Sequence, residues 1–229
     1  MNGKITAGVK EGPADCIRMA KVRAVLKMKR HKAPGLSGLV AEIMQATRDI
    51  GIQWILDLGN GIVKGSIPED WKSSVVLPIY KGKGDPMECG SYRGIELLEH
   101  AMKVVERIFE YRIRQQIEID DMQFGFMKGK GTTDAIFIAR YMQENFRVKG
   151  KKLYLGFVDL EKAFDRVPRE VISWAMRKLG VEEWLVSAVK SMYTGAKTVI
   201  RTVDGNGKGF EVKGSALSPL LFVIVMEAI

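Results

Sequence analysis

Residues 157–165 have the sequence Phe-Val-Asp-Leu-Glu-Lys-Ala-Phe-Asp, which places a carboxylate directly after an apolar segment. The segment at 152–158 is predicted to be a strand held in a sheet by Leu153, Leu155, Phe157 and Val158. Asp159 then follows at the edge of the sheet, where α/β folds present charged groups to a crevice. A carboxylate oxygen is the kind of ligand that Mg²⁺ prefers. We therefore expect Asp159 to bind a divalent cation.

The second carboxylate of this segment, Asp165, has a simpler interpretation. It lies near a helix predicted over 167–179, and Pro168 suits the first position of a helix. A carboxylate near a helix start can accept hydrogen bonds from unpaired backbone amides. A helix-entry role is therefore favoured for Asp165, whereas metal binding is favoured for Asp159.

The composition is that of a globular, basic protein. The chain has 229 residues, of which 46% are hydrophobic, so it can bury a substantial core. Its 36 Lys and Arg against 27 Asp and Glu give a net charge of +9, which predicts an anionic partner, nucleic acid foremost. The two cysteines, Cys16 and Cys89, are far apart and accompany no histidine cluster, which excludes a zinc knuckle or a disulfide scaffold.

The chain is expected to be soluble and intracellular, with nucleus and cytoplasm both open, because wide cysteine spacing suits a reducing compartment. Residues 1–10 lack the apolar centre of a signal peptide, and the longest apolar run, 220–226, is far too short to span a bilayer. No membrane association is predicted.

The predicted elements are helices around a few short antiparallel strands, an α+β fold. Helices are predicted near 14–29, 39–47, 52–64, 99–117, 132–148, 167–179, 182–193 and from 218, and hairpins around the glycine-rich turns at 81–85 and 204–208. The first helix is basic and amphipathic. Its cations suit either a solvated outer face or contact with nucleic acid.

The last helix is apolar over 220–225, and such a surface needs a covering partner. No further strand follows before the sequence ends at Ile229. We therefore expect an apolar partner for the C-terminal helix and a chain cut short at this end.

From about His31 to the end, the order of several motifs resembles the reverse transcriptase domain of non-LTR, LINE-type retrotransposons. The matching segments are Lys-Ala-Pro-Gly at 32–35, the fingers hairpin at 71–98 with Tyr-Arg-Gly-Ile at 92–95, the block at 123–135, motif A at 157–168 and motif B at 214–222. The resemblance implies a right-hand polymerase, with fingers and a partial palm over 31–229, no thumb, and an N-terminal basic extension at 1–30.

The activity that this resemblance implies is the copying of an RNA template into DNA from a DNA primer with dNTPs. The chemistry uses two Mg²⁺ ions, one activating the primer 3′-OH and one neutralising the triphosphate. By this resemblance Asp159 is the first metal-binding carboxylate. The backbone carbonyl of Leu160 is an additional ligand.

The resemblance also assigns residues that bind the nucleotide. Phe164 matches the sugar gate that rejects a ribose 2′-OH, although a core phenylalanine is the alternative. Arg93 and Lys81 would bind the triphosphate, and for Lys81 an ordinary solvated lysine remains open. Gly214 and Ser215 would let the backbone approach template and nucleotide, and a loop with a helix cap suits the same residues.

Three departures from the family pattern stand out. Ser37 replaces the usual aspartate of Lys-Ala-x-Gly-x-Asp-Gly, a change expected to be tolerable. Residues 210–213 run straight into Gly214, without the segment and glutamine that relatives have there. The Tyr/Phe-x-Asp-Asp of motif C is not found in the sequence.

Since one carboxylate cannot hold two divalent ions, no polymerase activity is expected from the chain by itself. An inactive reverse transcriptase fragment is the favoured interpretation. The alternatives are a non-catalytic nucleic-acid-binding protein and a scaffold that recruits a partner through its C-terminal helix.

Overall fold

The computed structural model describes residues 7–25, 31–65, 67–68, 72–160, 163–211 and 218–229. The mixture of helices with one small sheet confirms the α+β prediction. The helices are α1 (Met19–Val25), α2 (Ala41–Ala46), α3 (Arg48–Val63), α4 (His100–Arg114), α5 (Thr132–Val148), α6 (Ala163–Arg166), α7 (Arg169–Lys178), α8 (Glu183–Tyr193) and α9 (Ser218–Ala228). The strands are β1 (Ser73–Tyr80), β2 (Tyr92–Leu98), β3 (Lys197–Thr202), β4 (Gly205–Asn206) and β5 (Phe210–Glu211).

The sheet has the strand order β2-β1-β3-β4, and β5 also pairs with β3. β1 and β2 form the predicted antiparallel hairpin. The prediction that the strands are antiparallel is wrong for β1 and β3, which pair in parallel with Val75 opposite Val199. Parallel neighbours need a long crossover, and here it contains α4 to α8. Local turn signals cannot reveal such a pairing.

A polar cluster joins the three adjacent strands of the sheet. Ser74 Oγ of β1 lies 2.9 Å from Glu96 Oε1 of β2 and 2.9 Å from Thr198 Oγ1 of β3. The Thr198 hydroxyl donates to the Ser74 carbonyl oxygen at 3.1 Å. Ser74 and Thr198 are buried, and buried polar groups need such partners. These contacts help to fix the register of β2, β1 and β3.

The hydrophobic core lies among α3, α4, α7, α8 and α9. An edge-to-face contact joins Phe109 of α4 to Trp184 of α8, with ring centroids 6.3 Å apart. The side chains with less than 2% exposure include Phe109, Ile62, Ile108, Ile113, Met176, Leu185, Leu221 and Ile224. Helices from distant parts of the sequence therefore share one core.

The expectation that α9 needs an outside partner is wrong for most of this helix. α9 packs against α7, and Leu220, Leu221 and Ile224 are at most 2% exposed. A helix that is apolar all round suits the centre of a core, which is where α9 lies. Met226 of α9 and Ile229, which follows the helix, are exposed. No helix within the described ranges is long and apolar enough to cross a bilayer.

The segment before and within α1 is tied to the helical core. The Ile17 amide donates to Asn60 Oδ1 at 2.6 Å, and Ile17 and Val22 are buried. The Lys21 ammonium lies 3.1 Å from the centre of the Tyr111 ring. These contacts favour the packing interpretation of the basic first helix over nucleic-acid contact.

His100, the first residue of α4, is 1% exposed, and its Nδ1 has no hydrogen-bond partner among the described residues. Burial and, secondarily, the charge of Lys103 lower the pKa of His100, while Glu99 and Glu42 oppose this shift. The folded state therefore resists protonation of the imidazole more strongly than the unfolded chain does.

This shift predicts acid destabilisation. The stability that depends on a neutral His100 is fully present above about pH 6.5, which is the pKa of histidine in the unfolded chain. As the pH falls below this value, the free energy of unfolding decreases, with a slope of at most about 1.4 kcal/mol per pH unit. Denaturant unfolding between pH 7.5 and 5.5 measures the slope. His100→Gln should flatten it, whereas His31→Gln, at the exposed second histidine, should not. An unchanged slope in His100→Gln would contradict this prediction.

Candidate active site

The tip of the β1–β2 hairpin is held by hydrogen bonds across its loop. The Lys81 amide donates to the Ser91 carbonyl oxygen at 2.9 Å. The hydroxyl of Tyr80 donates to the Gly84 carbonyl oxygen at 2.6 Å, and that of Tyr92 to the Pro86 carbonyl oxygen at 2.9 Å. The Tyr80 and Tyr92 rings lie 5.5 Å apart. Although exposed, the loop has a defined conformation.

Both predicted phosphate-binding cations lie on this hairpin. Lys81 directly follows β1, and its ammonium donates to the Gly90 carbonyl oxygen at 2.8 Å. Arg93 lies on β2 opposite Ile79 and is exposed. Ile79 and Ile95, on the same face of the hairpin, are 53% and 41% exposed. Arg93 is thus an exposed cation on an open apolar surface.

Asp159 and Leu160 lie on a segment whose predicted structure is wrong. Residues 151–160 have no regular secondary structure, and Phe157 and Val158 are 89% and 87% exposed. A strand needs an adjacent strand to satisfy its backbone amides and carbonyls. Within the described residues β1 to β5 pair with one another and not with 152–158. Apolar, β-favouring side chains alone therefore do not make this segment a strand.

The carboxylate of Asp159 is exposed and forms no hydrogen bond or ion pair with any residue that the structure describes. The Asp159 carboxylate and Leu160 carbonyl are hard oxygen donors of the type that suits Mg²⁺. No three acidic, histidine or cysteine side chains come together anywhere in the described part of the chain. The Asp159 carboxylate and the Leu160 carbonyl therefore suit part of the coordination shell of one Mg²⁺ ion. The described residues do not form a centre for two ions. No described contact brings Asp159 to Lys81 or Arg93.

The structure describes only the backbone of one of the other three predicted site residues and nothing of the remaining two. Phe164 lies on the short helix α6, and its side chain is outside the described features, as is that of Asp165. Gly214 and Ser215 lie outside the described residues, which end at 211 and resume at 218. Their roles stay predictions.

Glu99 anchors a loop near the start of the chain, a contact that the sequence did not predict. Its carboxylate, 5% exposed, accepts hydrogen bonds from the Ser37 amide at 2.8 Å and the Ser37 hydroxyl at 2.5 Å. A Cβ at Gly35 would lie 2.9 Å from the Glu99 backbone nitrogen, so only glycine allows this approach. Glu99 therefore fastens the loop containing Ser37 to the end of the hairpin. Ser37 was the only signal, through its departure from the family pattern.

Residues 79–229 match the family described as reverse transcriptase (RNA-dependent DNA polymerase). This match covers well over half of the chain and includes Lys81, Arg93 and Asp159. The chain therefore belongs to the reverse transcriptase family. Within that family its relatives are proteins of non-LTR retrotransposons, which confirms the resemblance seen in the sequence.

Three of these relatives illustrate the similarity. The putative 115 kDa protein in type-1 retrotransposable element R1DM of Drosophila melanogaster is 30% identical over 216 residues, covering 90% of this chain. The RNA-directed DNA polymerase from mobile element jockey of Drosophila funebris is 29% identical over 228 residues, covering 93% of the chain. The Pol polyprotein of element R2 from Nasonia vitripennis is 28% identical over 172 residues, covering 72%.

The chain spans only 20%, 24% and 16% of the lengths of these three proteins, respectively. The activities, substrates and partners of the whole relatives therefore extend to this chain only as proposals.

Proposed function

We propose that this chain is the nucleotide-handling region of an RNA-directed DNA polymerase, with fingers and part of a palm. The observation that carries the proposal is the placement of Arg93 and Lys81 on one ordered hairpin inside the family match. The jockey relative, an RNA-directed DNA polymerase, supports the same reaction. RNA template, DNA primer and dNTP are the partners that this reaction requires.

The hairpin cations would bind the triphosphate of the incoming dNTP. A guanidinium presents five N–H donors in a planar fork that matches phosphate oxygens, and Arg93 is exposed. Lys81 uses one ammonium donor on the Gly90 carbonyl and retains two for phosphate. The contact with Gly90 also restrains the Lys81 side chain. This restraint favours phosphate binding by Lys81 over the alternative of an ordinary solvated lysine.

Asp159 and the Leu160 carbonyl would hold a divalent cation, which when bound neutralises charge on the triphosphate. In this proposal Phe164 excludes a ribose 2′-OH and so selects dNTP. Gly214 and Ser215 allow close approach of the backbone to template and nucleotide. These assignments rest on the positions of the residues within the family motifs.

Polymerisation requires the Asp159 carboxylate to be held in place by packed neighbours, which this chain alone does not provide. Catalysis needs its groups held close to the reactive geometry by packed neighbours. Phe157 and Val158, immediately before Asp159, are almost fully exposed and supply no such packing. We therefore expect the chain by itself to bind nucleotide without incorporating it.

Arg93→Ala is expected to weaken binding of a fluorescent dNTP about tenfold, the loss expected for a charge-assisted hydrogen bond to phosphate. Fluorescence anisotropy at low salt measures the affinity. Arg140→Ala, at an exposed arginine of α5, is the matched control and should bind as the parent chain does. Equal affinities in the Arg93 and Arg140 variants would contradict a triphosphate role for Arg93.

A second candidate function, non-catalytic nucleic-acid binding, is favoured by the net charge of +9. Binding of this kind weakens steeply with salt and depends on the summed charge of a surface. In that case Arg93→Ala and Arg140→Ala should reduce RNA binding by similar amounts and leave dNTP binding unaffected. The same two variants therefore distinguish the two functions.

A further inference from the structure

The segment after α5 has a backbone that is open to pairing with another strand. The Lys151 amide donates to the Phe146 carbonyl oxygen at 2.9 Å, and from 152 to 160 the structure shows no further hydrogen bond to any described residue. No residue of this stretch has a positive φ, so its backbone is compatible with a strand. Unpaired backbone amides and carbonyls of this kind are a template for strand addition.

The side chains of this segment are apolar and exposed. Tyr154, Phe157 and Val158 are 83%, 89% and 87% exposed, and Leu155 is 52% exposed. Aromatic and β-branched side chains favour strands. A short uncharged stretch of such residues without proline is typical of segments that pair with another chain. A strand partner would therefore supply both backbone hydrogen bonds and burial of apolar side chains.

The two ends of the apolar stretch carry opposite charges. Lys151 and Lys152 precede it, and Asp159 follows it. All three are exposed, and their side chains form no ion pair within the described part of the chain. Antiparallel pairing of two copies brings the positive end of one segment to the negative end of the other, whereas parallel pairing would place like charges together. The segment is therefore complementary to itself in the antiparallel direction.

Twofold symmetry restricts the register in which two copies pair. In an antiparallel pair related by a twofold axis, one residue lies opposite its own copy, and residues equally far on either side of it lie opposite one another. With Leu155 at the axis, Lys151 lies opposite Asp159 of the second copy. Leu153 then lies opposite Phe157. These pairs share one face of the two-stranded ribbon, which is apolar in the middle and has an ion pair at each end.

The other face of the ribbon is compatible with the same register. Tyr154 lies opposite Gly156 of the second copy, and a Cβ at Gly156 would meet nothing within 4 Å. An aromatic ring opposite a glycine covers the exposed backbone there. Lys152 lies opposite Val158, where its aliphatic stem packs while the ammonium stays in water. Neither face leaves a charge opposite a like charge.

We propose that residues 151–159 form the interface of a homodimer, in which two copies of the segment pair as antiparallel strands about Leu155. A two-stranded ribbon of this length is at the small end of protein interfaces, so the dimer should be weak, with a dissociation constant in the micromolar range. The dimer does not depend on the proposed polymerase function, because none of its contacts involves a nucleotide or a metal ion.

Sedimentation velocity of the folded chain, over a range of protein concentrations and without divalent cations, tests the proposal. We expect a monomer at low concentration and a dimer at high concentration. Lys151→Glu should weaken the dimer about tenfold, because both ion pairs become like-charge pairs. Lys152→Glu makes the same change of charge on the other face of the strand. It is the matched control and should weaken the dimer much less.

Reversing the charges at both ends separates this pairing from a general effect of charge. Asp159→Lys should weaken the dimer as Lys151→Glu does. The double variant Lys151→Glu/Asp159→Lys should restore it, because the two ion pairs form again with opposite orientation. Amide hydrogen exchange should show protection of residues 152–158 that increases with protein concentration, since these amides become paired only in the dimer.

A monomer at every concentration would overturn the proposal and leave the segment to a different partner. Equal weakening by Lys151→Glu and Lys152→Glu would contradict the register about Leu155. A dimer whose formation leaves the exchange of residues 152–158 unchanged would overturn the proposal as well, because its interface would lie elsewhere on the chain.

Discussion

Ile224→Ala is expected to lower the free energy of unfolding by about 2–5 kcal/mol, the range for truncating a fully buried isoleucine. Ile224 is completely buried on α9, in the core cluster that includes residues of α7 and α8. The loss of the isoleucine side-chain carbons leaves a cavity that the surrounding helices cannot fully close. Urea or guanidinium unfolding followed by circular dichroism measures the change.

Met226→Ala on the same helix is the matched control. Met226 is 48% exposed, so its truncation should cost less than about 1 kcal/mol. A large difference between the two variants means that α9 is an internal core helix. Equal, small effects would contradict the packing of α9 against α7 and restore the expectation of an outside partner.

Glu99→Ala is expected to destabilise the chain by at least about 3 kcal/mol. Glu99 is buried and accepts two hydrogen bonds from Ser37, and hydrogen bonds to charged groups contribute about 1.5–3 kcal/mol each. Its removal leaves the Ser37 amide without this acceptor and frees the loop that contains Gly35. Glu99→Gln, which keeps one acceptor oxygen and the shape of the side chain, should cost less.

A double-mutant cycle tests whether Ser37 and Glu99 act as a pair. Ser37→Asp introduces the residue typical of the family, but in this chain it sets a second carboxylate against Glu99 and should be destabilising. The cost should fall when Glu99→Gln is present. Additive effects of the two substitutions would show that the pair is not coupled.

Local sequence signals predicted most of the elements and failed where pairing is long-range. The hairpin of β1 and β2 and helix α4 follow from turn residues and apolar spacing, and the structure confirms them. The parallel pairing of β1 with β3 joins residues more than a hundred positions apart. The apolar segment 152–158 was predicted to be a strand from side chains alone, although a strand depends on its neighbours.

The same distinction applies to the candidate site. The family resemblance assigned Arg93 and Lys81 to the fingers hairpin, and the structure has both residues on the β1–β2 hairpin, while their contact with a triphosphate stays a prediction. Asp159 was expected at the edge of a sheet, whereas it lies on an exposed segment outside the sheet. Glu99 could not be foreseen, because its role depends on a contact with Ser37 62 residues away in the sequence.

The most direct test of the central claim is primer extension on an RNA template with dNTPs and Mg²⁺, using the purified, folded chain beside Asp159→Ala. We expect nucleic acid and dNTP to bind and no nucleotide to be incorporated, because nothing in the described structure packs Asp159 into position. Incorporation by the chain that disappears in Asp159→Ala would contradict this account and show that the exposed segment becomes ordered into a working site.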